Sequence, residues 1–72
     1  MPAVGPISVS DLIRALRDAG FDGPFHGRKH RYMNRGTTVV AIPNPHGSSI
    51  DTGLLRRLLR RAEIDRSTWE RL

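Results

Sequence analysis

The chain has 72 residues, no cysteine, and twelve Lys and Arg against seven Asp and Glu, for a formal net charge of +5. So short a chain holds one compact domain, expected over residues 1–72, and excludes a two-domain enzyme. The lack of cysteine excludes a disulfide framework and a thiolate metal site, and suits a reducing cytoplasm.

The charge favours a polyanion such as nucleic acid. Eleven of the twelve cations are arginine, whose planar guanidinium makes bidentate phosphate contacts and stacks on bases. A GC-rich coding bias would also favour arginine over lysine, and charge alone does not separate RNA from DNA. No stretch approaches the length of a membrane span, and the first residues carry neither a basic leader nor an apolar run.

Residues 1–7, with Pro2, Gly5 and Pro6, read as a loose tail. A first helix follows: Ser8 or Ser10 can cap it, Asp11 sits where the helix dipole favours an anion, and Val9, Leu12, Ile13 and Leu16 recur at helical spacing up to Gly20. Phe21 to His26 reads as a short strand interrupted by Gly23-Pro24. Gly27 opens a turn into a second strand, His30 to Asn34, and Asn34-Arg35-Gly36 is a hairpin turn. The β-branched run Thr37, Thr38, Val39, Val40 and Ile42 makes a third strand that Pro43 stops. On the second strand, alternation pairs His30 with Tyr32 and Arg31 with Met33, with Met33 expected inward.

Residues 44–49 read as a loop, after which Asp51 or Thr52 can cap a second helix running to Ala62. Leu54, Leu55, Leu58, Leu59 and Ala62 cover one arc of that helix, while Arg56, Arg57, Arg60 and Arg61 occupy the other. Ile64 returns to the core, and Asp65 to Leu72 reads as a short helical extension anchored by Trp69 and Leu72. The order helix, three antiparallel strands, helix predicts α+β architecture with both helices on one face of the sheet. That arrangement is the fold of double-stranded-RNA-binding domains, and a fold by itself does not fix an activity.

The acids are scattered through the chain as Asp11, Asp18, Asp22, Asp51, Glu63, Asp65 and Glu70, which gives no dense carboxylate site for metal-dependent hydrolysis. His26, His30 and His46 lack the spacing of a zinc motif, so no metal or other cofactor is expected. No glycine-rich phosphate loop precedes a helix. What remains is Gly27-Arg28-Lys29-His30-Arg31-Tyr32, a histidine among three cations. RNA can be cut without a metal when a base takes the 2′-hydroxyl proton and cations stabilise the charge that develops on phosphate. Histidine suits that proton transfer, since its unperturbed pKa is near 6.5. The alternative is a solvated basic turn in which His30 is one more phosphate contact. Tyr32 can stack on a base or simply finish the sheet surface, and His46 can reach the same surface or remain an exposed loop residue.

The segment Gly27-Arg28-Lys29-His30-Arg31-Tyr32-Met33 resembles the glycine-x-x-histidine motif of the HicA toxin family, in the variant G-x-K-H-x-Y-M. Three further features agree in order and spacing: Ala19-Gly20-Phe21 ending the first helix, the loop Ile42-Pro43-Asn44-Pro45-His46, and the helix from Gly53 to Ala62. The resemblance covers residues 9 to 72. It implies a ribosome-independent mRNA endonuclease, the toxin of a type II toxin–antitoxin system, neutralised by a HicB-type antitoxin. It also implies that His30 is catalytic. Charge and proximity add Arg28 and Lys29 as phosphate contacts, with Gly27, Arg31, Tyr32 and His46 completing the expected RNA-binding set. Glu63 departs from the pattern, standing where the family usually has a glycine after the second helix. The competing readings are a non-catalytic RNA-binding module of the double-stranded type, and an inactive subunit whose basic helix serves only its partner.

Overall fold

A computed structural model describes residues 4–44, 47 and 49–72. The elements, in chain order, are β1 (Ile7–Ser8), α1 (Val9–Asp18), β2 (Asp22–Phe25), β3 (Tyr32–Arg35), β4 (Thr38–Ala41), β5 (Ser49–Ile50), α2 (Thr52–Arg61) and α3 (Arg66–Glu70). The architecture is the expected α+β arrangement. A three-stranded antiparallel sheet in the order β2-β3-β4 carries the two long helices, and α3 forms the extension.

All three helices begin in the same way, because an extended residue with a short oxygen-bearing side chain satisfies one of the first orphan N–H groups. Asp11 N–H donates to Ser8 Oγ at 3.1 Å, Leu54 N–H to Asp51 Oδ1 at 2.8 Å, and Thr68 N–H to Asp65 Oδ1 at 2.7 Å. The two long helices then each turn an apolar stripe to the sheet, and α3 adds Trp69 to the same core. Leu12, Ala15 and Leu16 of α1, Leu55 and Leu59 of α2, and Trp69 of α3 share one buried cluster with Met33, Val40 and Ile42. Leu54 and Leu58 are half-buried on the same cluster, whereas Arg56, Arg57, Arg60 and Arg61 are exposed, so α2 is at once core element and cationic ridge.

The two long helices also end alike. Gly20 and Glu63 follow the caps Ala19 and Ala62 with positive φ, 96° and 58°. In each case two N–H groups fold back onto the last turn: Gly20 to Arg17 O and Phe21 to Leu16 O, then Glu63 to Arg60 O and Ile64 to Leu59 O. Both ends are Schellman motifs, and the buried pairs Phe21 with Leu16 and Ile64 with Leu59 supply the apolar contact that accompanies them. Glu63 takes the left-handed position without being a glycine, and its Oε2 accepts a hydrogen bond from Thr38 Oγ1 at 2.9 Å.

Three expectations need correction. The segment before α1 is not a loose tail throughout: Val4 and Ile7 pack on the core, and Ile7 and Ser8 pair with Ile50 and Ser49. Two residues of ladder have no periodicity to read, so this pairing left no pattern in the sequence. The second strand starts at Tyr32 rather than His30, because residues 28–30 are spent in the bend that Gly27 opens. Its far end runs through Arg35, with Gly36 and Thr37 as the turn. Arg35 pairs with Thr38, and its side chain is held on the helix side of the sheet.

Candidate RNA-cleaving site

The bend between β2 and β3 brings the motif together. Gly27, Arg28, Lys29, His30 and Arg31 are all exposed, and Tyr32 opens β3 half-buried. Gly27 has a steric reason to be glycine. A β-carbon there would overlap the His30 carbonyl oxygen and lie 3.3 Å from Tyr32 Cδ1. The chain can therefore fold back on itself at His30 only while position 27 carries no side chain.

Across from the bend, the chain leaving β4 is tied to it by one ladder bond, Ile42 N–H donating to Arg31 O at 2.8 Å. Between the two segments lies a cleft of about 220 Å³ lined by Lys29, His30, Arg31, Ile42, Pro43 and Asn44. His30 thus stands at a small polar cleft with two cations beside it and one amide facing it. Asn44 was not singled out as a site residue in the sequence, although it belongs to the loop that resembles the family. His46, two residues further on, lies outside the described residues. His26 is exposed in the same connection as His30. A larger cleft of about 560 Å³, lined in part by Val4, Leu59, Arg60 and Ile64, contains no residue of the motif.

Tyr32 faces away from the helices, as Met33 is fully buried against them. Its ring lies 5.5 Å from that of Phe25, tilted by 42°. Among the described residues no three His, Asp or Glu side chains converge as a metal-binding group, and no helix is long and apolar enough to cross a membrane.

An antiparallel β2-β3-β4 sheet covered on one face by two helices, with a histidine-bearing basic bend at one end, defines a double-stranded-RNA-binding-domain-like protein. Within that class the sequence profile of the HicA toxin of bacterial toxin–antitoxin matches residues 9–64, and the chain belongs to the HicA toxin family. It is accordingly a toxin-antitoxin toxin, of a family whose members are generally mRNA interferases acting opposite a cognate antitoxin. The match begins at the first residue of α1 and stops at Ile64, before α3. No curated protein and no solved structure matches the chain.

Proposed function

We propose that this toxin is a metal-independent, ribosome-independent mRNA endonuclease in which His30 moves the proton. The neutral imidazole accepts the proton of a ribose 2′-hydroxyl, the 2′-oxygen attacks the adjoining phosphorus, and the bond to the 5′-oxygen of the next nucleotide breaks. That oxygen takes up a proton as it leaves, so the products are a 2′,3′-cyclic phosphate and a 5′-hydroxyl end. Arg28, Lys29 and Arg31 hold the phosphate and stabilise the added negative charge of the pentacoordinate state. His46 and Tyr32 contact the RNA, and a HicB-type antitoxin neutralises the toxin.

The observation that supports this reading best is the placement of His30 at the same cleft as Lys29, Arg31 and Asn44, held there by the side-chain-free Gly27. Purified protein in EDTA is expected to cut single-stranded RNA and leave cyclic or 3′-phosphate ends. His30→Ala is expected to lose that activity at least a hundredfold, the scale of a lost general acid or base. Equal cutting by His30→Ala would remove His30 from the mechanism. Loss of cutting in EDTA with recovery on added Mg²⁺ would remove the metal-independent route.

A further inference from the structure

The sheet has a second face, which the helices leave open. The register places Phe25 beside Tyr32 and Tyr32 beside Ala41 in one row, and Asn34 beside Val39 in the next. Their neighbours Met33 and Val40 point the other way into the core. Phe25 and Val39 are 43% and 46% exposed, the two large apolar side chains left in solvent among the described residues. An uncovered aromatic on a small basic protein calls for an occupant with an apolar, polarisable surface and a negative charge nearby.

Three observations select that occupant. First, the Phe25 and Tyr32 rings sit side by side with centroids 5.5 Å apart, leaving Phe25 an open flank. Second, the platform lies against the bend that carries His30: Tyr32 Cδ1 is 3.3 Å from the position a Gly27 β-carbon would take, and that same position abuts the His30 carbonyl. Third, cations frame the face. Arg28, Lys29 and Arg31 stand at the end where Tyr32 begins β3, and Arg61 Nε lies 3.5 Å from the Val39 carbonyl oxygen at the β4 edge.

We propose that Phe25 and Tyr32 form a stacking platform for an unpaired base of single-stranded RNA, adjoining the phosphate that His30 attends. The proposal deepens the reading of His30 as an RNA-cleaving residue. It makes Phe25 a residue that positions substrate by its π-face. Stacking of this kind tolerates any base but excludes a base held inside a duplex, because the ring must reach the flat side of the base. The platform therefore selects single strands, loops and unpaired ends.

The test uses the full chain and a single-stranded 2′-O-methyl oligonucleotide carrying 2-aminopurine, which lacks the attacking hydroxyl and is bound without being cut. The expected result is quenching of 2-aminopurine on binding, and roughly tenfold weaker binding with lost quenching in Phe25→Ala. Phe25→Trp is expected to restore both. Val39→Ser, on the same face away from the rings, is expected to bind like the parent. Thermal melts of each variant establish that it is folded. Parent-like binding and quenching by folded Phe25→Ala overturns the platform. So does a parent dimer in sedimentation that Phe25→Ala dissociates with RNA binding unchanged, since the face would then join copies of the chain. Loss of neutralisation by the antitoxin alone, with RNA binding intact, overturns it likewise. None of these readouts depends on cleavage, so equal cutting by His30→Ala would sink the catalytic assignment and leave this result to stand or fall separately.

Discussion

The guanidinium of Arg35 lies 4.7 Å from the centre of the Phe21 ring. From there its two terminal nitrogens reach opposite helices: Nη1 donates to the Ala19 carbonyl at 2.8 Å and Nη2 to the Ala62 carbonyl at 3.2 Å. Both carbonyls belong to helix C-caps, the negative ends of the α1 and α2 dipoles. One side chain from β3 thus clamps the two helices that cover the sheet.

Replacing Arg35 with Met keeps much of the apolar stem and removes the fork. Charge-assisted hydrogen bonds are worth about 1.5–3 kcal/mol each where shielded and less where exposed, so a loss of about 2 kcal/mol is expected. For a domain of this size that is a fall of about 10 °C in Tm. Arg35→Lys is expected to fare little better, because one ammonium cannot serve two carbonyls in the geometry of a planar fork. A melting temperature within 2 °C of the parent for both variants, on the same scale, would show that the clamp carries no stability.

Glu63 offers a second test, with opposite signs built into it. At φ 58° a side chain with a β-carbon is strained, by about 1–2 kcal/mol, and the hydrogen bond from Thr38 at 2.9 Å offsets part of that. Glu63→Gly relieves the strain and loses the bond, for an expected net gain of about 0.5 kcal/mol. Glu63→Ala keeps the strain and loses the bond, and should be less stable than the parent by about 0.5–1 kcal/mol. Urea denaturation midpoints of the three chains give the order directly. Glycine ranking below alanine would refute the strain argument.

These two residues also mark how far the sequence could be read. The helices were legible because their leucines recur at helical spacing and their caps are short oxygen-bearing residues, and the structure chooses Ser8 and Asp51 from the alternatives each offered. The motif around His30 was legible as a string. That His30 stands before the strand was not, since the steric conflict at Gly27 is a contact between residues three apart that alternation does not encode. Arg35 looked like part of a turn because nothing local reveals a guanidinium aimed at two carbonyls, one 16 and the other 27 residues away. Phe25 passed as an ordinary strand residue for a similar reason: which face of a short, bulged strand is covered depends on where the helices dock.

Asp65 gives a pH dependence. Its carboxylate accepts the Thr68 backbone N–H, and that bond, with the Thr68 side chain and the nearby Arg71, holds its pKa below the ordinary carboxylate value. A group whose pKa is lowered on folding adds stability above its unfolded value, and loses that contribution as pH falls through the folded one. The window is thus below about pH 4. The cap starts the helix that carries Trp69, which is 2% exposed and is the chain's single tryptophan. Trp69 fluorescence is therefore expected to report loosening of α3 on acidification. In Asp65→Asn, whose amide oxygen still caps but does not titrate, that part of the acid transition should disappear. Superimposable acid titrations of the two chains would exclude Asp65 as a contributor.

The sharpest link between local sterics and activity is Gly27. A methyl group at this position must displace the His30 carbonyl and crowd the Tyr32 ring, yet Gly27 itself is exposed and lies outside the buried core. Gly27→Ala should therefore shift the bend that carries Lys29 and His30 while the domain still folds. Displacing a proton-transfer group by about 1 Å costs on the order of a hundredfold in rate, so RNA cleavage should fall by about that factor with only a small change in Tm. Gly47→Ala is the matching control, since among the described residues a β-carbon there meets nothing within 4 Å. If Gly27→Ala cuts at the parental rate, the close approach at Gly27 does not set the position of His30. If it abolishes folding as well as cutting, the bend belongs to the stability of the domain instead, and the separation of site from core drawn from the burial pattern fails.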